Sequence, residues 1–143
     1  MCKKTKKLMI IAANAQKWRC YYCDYPIWDK DHEEFAKTYA LKDGPLRLLR
    51  ATAEHLIARC DGGADTQDNI VAACDHCNKT RHKAKVPLSP LEFRAKVRRR
   101  LAKGRWHSFR NPQITVARKK SQHTPRIDHS PASNHRDAHD NKR

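Results

Sequence analysis

Six cysteines stand in the 143-residue sequence, and four of them repeat one spacing, Cys20-Tyr-Tyr-Cys23 and Cys74-Asp-His-Cys77. Two thiolates three positions apart on a tight turn are presented at the spacing a tetrahedral ion accepts, and four soft sulfur donors select zinc. A site closed by four sulfurs leaves no position for water. Its expected work is therefore structural, joining parts of a chain whose own core is small. Four unrelated buried thiols are the bland alternative, which the paired spacing disfavours. The fifty residues between Cys23 and Cys74 exceed the insert of an ordinary zinc ribbon, so something further sits between the pairs. Cys2 and Cys60 receive no role.

Between the pairs lies Glu54-His55. An imidazole can accept a proton near neutral pH, and a carboxylate is a hard ligand suited to a divalent ion. Strand neighbours face opposite ways, so the two serve one site only where a strand twists or ends. Asn78 and His82 are four apart and fall on one face of an expected helix, within reach of one ion. Taken singly, each has a plainer reading: a solvated His55, a surface Glu54, a turn-forming Asn69 and a helix-capping Asn78. His32 and His76 read as structural or exposed, and the four histidines after residue 120 as inert.

The elements that must position these groups are short. Residues 3–15 mix lysines with Leu8, Met9, Ile10 and Ile11 and suit a helix beside the first cysteine pair. Asp31 followed by Glu34 resembles a helix cap leading into Phe35, Ala36, Tyr39 and Ala40, with Asp43-Gly44-Pro45 ending that helix. Residues 46–57 are expected to be extended, Asp61-Gly62-Gly63 to turn the chain, residues 70–73 to form a second strand, and residues 78–85 a short helix. Ser89-Pro90-Leu91-Glu92 opens a further helix whose Phe93, Val97 and Leu101 make an apolar stripe, with Arg98, Arg99 and Arg100 at its negative end and Gly104 beyond. Residues 111–143 are expected to be a disordered basic tail, since nothing there can bury enough to offset its ordering entropy.

Length allows one compact domain plus tails, here residues 1–110 with a motif core at about 16–85. Lys and Arg number 31 against 15 Asp and Glu, a formal charge of +16, which makes a polyanion the natural partner. Phosphate neutralisation releases counterions and gives salt-dependent affinity for DNA or RNA alike. A membrane partner is not expected, because the apolar run from Leu8 to Ala13 is far shorter than a span and no basic amphipathic helix carries an aromatic face. Without a recognisable signal segment, a cytoplasmic setting is expected, where paired thiols point to metal before disulfides.

In order, Glu54-His55, Gly62-Gly63, Asn69 before an apolar strand, Cys74-x-x-Cys77-Asn78 and the closing His82 form a pattern that resembles the HNH endonuclease family over residues 16–85. The resemblance implies an α+β fold: a small zinc-stapled ββα-metal core with flanking helices. It implies metal-dependent hydrolysis of phosphodiester bonds, double-stranded DNA first among substrates, leaving 5′-phosphate and 3′-hydroxyl ends. His55 would be the general base, and Asn69 would hold the base's loop and imidazole in place rather than do chemistry. Glu54 with Asn78, His82 or both would bind the catalytic ion, a strand end bringing Glu54 and His55 to one site as in that family. Mg2+ or Mn2+ suits the oxygen ligands, while a His ligand also admits Zn2+ or Ni2+. Arg59, Arg81, Arg98, Arg99 and Arg100 are the expected nucleic-acid contacts. Glu54 replaces a commoner Asp, and Ala58-Arg59 stand where a proline often follows the base. A bacterial or phage origin fits. The rivals are a non-catalytic zinc-ribbon DNA-binding protein, which leaves Glu54-His55 and Asn69 unexplained, and an RNA-directed nuclease.

Overall fold

A computed structural model describes residues 2–111 together with 113 and 114. Two strands, β1 (Ala51–His55) and β2 (Ile70–Cys74), form an antiparallel hairpin in which Ala51 pairs with Cys74, Glu54 with Val71 and His55 with Ile70. Around it lie five helices among the described residues: α1 (Lys3–Ala15), α2 (His32–Thr38), α3 (Asp43–Leu48), α4 (Asp75–Arg81) and α5 (Pro90–Ala102). The architecture is the small α+β arrangement, two strands and a following helix beside a four-cysteine cluster.

α1 buries Thr5, Met9 and Ala13, a stripe at spacing four, against the hairpin. Its continuation closes the open edge of β2. Gln16 donates to the Ala72 carbonyl at 2.8 Å and accepts from the Ala72 amide at 3.0 Å, so one side chain occupies ladder groups that would otherwise recruit another strand. α4 begins directly at the end of β2, with Cys74 as its N-cap. α5 carries the expected capping box between Ser89 and Glu92 and buries Phe93 and Val97. Phe93 meets Tyr22 and Trp106 edge to face, tying α5 to the first cysteine pair and to the segment that follows the helix.

Several expectations on the elements change, among them the helix expected over residues 78–85, which forms instead as α4 (Asp75–Arg81). Gly44-Pro45 does not break the chain but opens α3: Pro45 lies in the first turn, where no backbone amide needs a helical acceptor. The expected extended segment 46–57 therefore shrinks to β1. α2 forms, though Asp31 makes no side-chain cap bond. Packing contacts among the described residues also continue past residue 110. Ile114 is fully buried, its amide bonds Asn111 Oδ1 at 3.1 Å, and the Asn111 side chain donates to the Tyr39 carbonyl. The rest of the expected tail lies outside the described residues. No helix among the described residues is long and apolar enough to cross a membrane.

Candidate active site and zinc centre

The sulfurs of Cys20, Cys23, Cys74 and Cys77 lie within 4.8 Å of one another, all buried. Cys23 and Cys74 are 3.9 Å apart at sulfur. Tetrahedral zinc with bonds near 2.3 Å requires sulfurs about 3.8 Å apart, whereas a disulfide would bring them to about 2.05 Å, so the donor set fits the ion. Burial pushes the thiols of Cys23, Cys74 and Cys77 up, while hydrogen bonds from its three neighbours outweigh burial at Cys20 and bring that one down. Burial thus favours the neutral thiol at three of the four positions, and a cation bound among the sulfurs would reverse that by stabilising their thiolates. Three N–H donors face the sulfurs: the Cys74 amide on Cys20, the Cys77 amide on Cys74, and the Trp106 indole on Cys77 at 3.3 Å. The last brings the segment after α5 to the centre's rim.

The alternation of β1 separates the two groups that the sequence pairs. Glu54 is 1 % exposed and faces inward. Its Oε1 accepts from the Tyr22 hydroxyl at 2.9 Å and from Arg81 Nη1 at 2.5 Å, and His82 Nε2 lies 3.1 Å from Oε2. Burial first, then the Glu54 charge, pushes the Tyr22 phenol up, so it stays a neutral donor. Two ligands at about 2.1 Å on adjacent corners of an octahedron stand about 3.0 Å apart, so Glu54 Oε2 and His82 Nε2 have the separation of an ion's edge. Asn78 is turned elsewhere: its amide nitrogen donates to Thr52 Oγ1 and the Ala53 carbonyl, which leaves the carbonyl oxygen as the atom able to ligate.

His55 takes a different set of partners. Its Nε2 lies 2.8 Å from Asp65 Oδ1, and Asp65 also accepts from Thr5 Oγ1 at 3.0 Å and from Arg59 Nη2 at 2.9 Å. The His55 hydrogen bond above all, with those from Thr5 and Arg59, holds the Asp65 carboxyl down at about 2. The ring borders a cleft of about 390 Å3, which Arg50, Thr52, Arg59 and the start of α1 also line. Among the described residues no side chain bonds the side chains of both Glu54 and His55. Arg81 comes nearest, donating to Glu54 Oε1 and to the His55 backbone carbonyl.

The turn between the strands sets the His55–Asp65 contact. Gly62 has φ +83°, and a Cβ on Gly63 would sit 1.9 Å from the Ile57 carbonyl oxygen, so this return of the chain needs both glycines. Asn69 then closes the loop, accepting from the Ile57 amide at 2.8 Å and donating to the carbonyls of Ile57 and Ala64.

Of the expected nucleic-acid contacts, Arg81 is the one placed away from the surface. It is buried, and its guanidinium bridges Glu54, the His55 and Leu56 carbonyls and, through Nε, Leu88, so it holds the strand end and cannot meet phosphate. Arg98 and Arg99 are exposed on α5, and Arg100, also exposed, lies over the Trp106 ring. Sequence reasoning passes over Tyr22, Asp65 and Arg50. Only Asp65 leaves a trace there, as an acid two residues after the Gly-Gly turn.

The order of these parts along the chain, acid and base at the end of a first strand, a Gly-Gly turn, an Asn, a second strand and a cysteine-capped helix, decides the comparison with known families. Residues 20–84 match the HNH endonuclease family. The match takes in both cysteine pairs, the hairpin and α4, somewhat less than half of the chain, and leaves α1 and α5 outside it. No curated protein and no solved structure matches the chain. The matched region thus contains every group named above as candidate catalyst or ligand, while Thr5, which anchors Asp65, comes from outside it.

Proposed function

We propose that the protein is a metal-dependent endonuclease that hydrolyses phosphodiester bonds of DNA, with His55 as general base. The observation that carries the reading is the imidazole of His55, fixed through one nitrogen and set at a cleft whose walls include Arg50 and Arg59. In-line hydrolysis needs a base that takes one proton from water as its oxygen bonds phosphorus and the bond from phosphorus to the 3′ oxygen breaks. It also needs cations beside the phosphate, which the two arginines supply. A divalent ion held by Glu54 with His82, Asn78 or both would offset the charge that develops on the phosphate and the departing oxygen. Mg2+ and Mn2+ suit the oxygens, and the imidazole extends the choice to Zn2+ and Ni2+. The four-cysteine centre carries structural zinc and no part of the reaction.

The +16 charge and the exposed Arg98 and Arg99 support a nucleic-acid partner held through phosphate contacts, and the family match favours DNA. A second reading, a non-catalytic zinc-stapled DNA-binding protein, draws on one observation: Arg81 and Tyr22 already occupy Glu54 Oε1, so the carboxylate is compensated without an ion. Incubating supercoiled plasmid with the zinc-loaded protein, with and without added divalent metal, separates the two. Metal-dependent nicking or linearisation supports the nuclease; tight binding with no cutting in any of the four metals supports the alternative. Structured RNA offered in the same assay tests the substrate class.

A further inference from the structure

We propose that Asp65 is a positioning residue that fixes the imidazole of His55 with its proton on Nε2, so that Nδ1 is the atom that takes the proton from water. The inference rests on the reading of His55 as the base and adds which nitrogen acts and what orients it.

Asp65 Oδ1 lies 2.8 Å from His55 Nε2, and Arg59 Nε lies 3.2 Å from the same nitrogen. Both cannot be hydrogen bonds to one tautomer, because the first requires a proton on Nε2 and the second a lone pair there. The carboxylate contact is the shorter, and an ionised carboxylate can only accept. Nε2 therefore carries the proton, and Arg59 acts on Asp65, through Nη2 at 2.9 Å from both carboxylate oxygens.

Nothing about the carboxylate is loosely held. Its Oδ2 accepts from Thr5 Oγ1 at 3.0 Å, and Thr5 sits in the first turn of α1 and is buried. Arg59 Nη2 also reaches Thr5 Oγ1 at 3.1 Å. The return of the chain at Gly62-Gly63 delivers Asp65, and the Asn69 side chain holds the neighbouring Ala64 carbonyl. Three separate segments thus converge on a partly buried acid. With Nε2–H engaged, the ring's remaining lone pair is on Nδ1. When water's proton arrives there the ring becomes an imidazolium, whose charge the adjacent carboxylate stabilises, and the P–O bond change proceeds with the proton held on His55.

The test is the nitrogen NMR spectrum of His55 in the zinc-loaded full chain, assigned by comparison with His55→Ala. Neutral His55 should show a protonated Nε2 and an unprotonated Nδ1. A protonated Nδ1 in the wild-type protein would overturn the proposal without any variant at Asp65. Asp65→Asn can turn its amide to donate to Nε2, so it should shift the ring toward the opposite tautomer and lower kcat by on the order of 10²- to 10⁴-fold with little change in KM for DNA. Asp65→Glu should restore part of that rate. Wild-type tautomer and kcat in a folded Asp65→Asn protein would also overturn the proposal. Failure of the underlying reading looks different: His55→Ala itself would then cut plasmid at the wild-type rate.

Discussion

Arg81 Nη1 lies 2.5 Å from Glu54 Oε1, and the two side chains are 6 % and 1 % exposed. An ion pair this deep is worth little against two well-packed apolar residues, yet removing one partner strands the other charge away from water. Arg81→Ala should therefore destabilise the protein by about 3–5 kcal/mol, read as a lower midpoint in urea unfolding. Its DNA affinity, measured where the variant is still folded, should be unchanged. A variant with wild-type stability and weakened DNA binding would return Arg81 to the surface contacts.

His107 offers a pH dependence whose sign can be worked out. Burial first, then the nearby His76, lowers it to about 4, and both ring nitrogens are buried without a hydrogen-bond partner while the ring stacks on Tyr25. The unfolded chain takes up a proton near pH 6.5 and the folded one only near 4, so the unfolded state binds more protons between these values and stability rises with pH across that window. The amplitude is on the order of 3 kcal/mol. His107→Phe keeps the stacking and removes the titration. It should flatten the slope of stability against pH within that window; equal slopes in the two proteins would contradict this.

How much of this is legible in the sequence depends on whether a feature is local. The two cysteine pairs and the Ser89–Glu92 cap are written in spacings of three residues and α1 in a lysine-flanked apolar run, and all appear where expected, though the face that α1 buries, Thr5, Met9 and Ala13, is not marked in that run. β2 is legible as a bounded apolar run. α3 is not, because Gly44-Pro45 signals a break unless one knows that it falls in a first turn. Asp65 reads only as a turn residue, since its meeting with His55 and Thr5 depends on a return of the chain and on a helix sixty residues earlier. In a chain with 31 cations nothing in the sequence marks Arg81 as the one turned inward. Ile114 falls in a stretch that reads as tail because its neighbours are polar, yet one apolar side chain and the Asn111 bonds suffice to dock it.

The staple should be indispensable. Cys20→Ser or Cys74→Ser removes one of four zinc donors and, because such sites supply folding energy directly, should yield protein without bound zinc and without a cooperative thermal transition. A chelator should do the same to the wild-type chain. A metal-free variant that melts like the wild type would reject a structural role.

Truncation should be made after Ile114, because ending the chain at Phe109 would remove the Asn111 and Ile114 interactions and cost stability for reasons unrelated to DNA. Residues 115–143 contain seven Lys and Arg. If they touch phosphate, their removal should flatten the slope of log affinity against log salt by up to about 0.9 for each phosphate no longer neutralised, with turnover at saturating DNA retained. Equal slopes would show an inert extension.

The central claim, that His55 activates water for cutting DNA, meets its most direct test in one gel. Supercoiled plasmid is incubated with zinc-loaded wild-type protein or with His55→Ala, each with and without Mg2+ or Mn2+, after both proteins are shown to share a melting temperature and a DNA affinity. The wild type should give metal-dependent nicking or linearisation and His55→Ala no detectable product, because the change removes the base and no zinc ligand. Cutting by His55→Ala at the wild-type rate would contradict the claim.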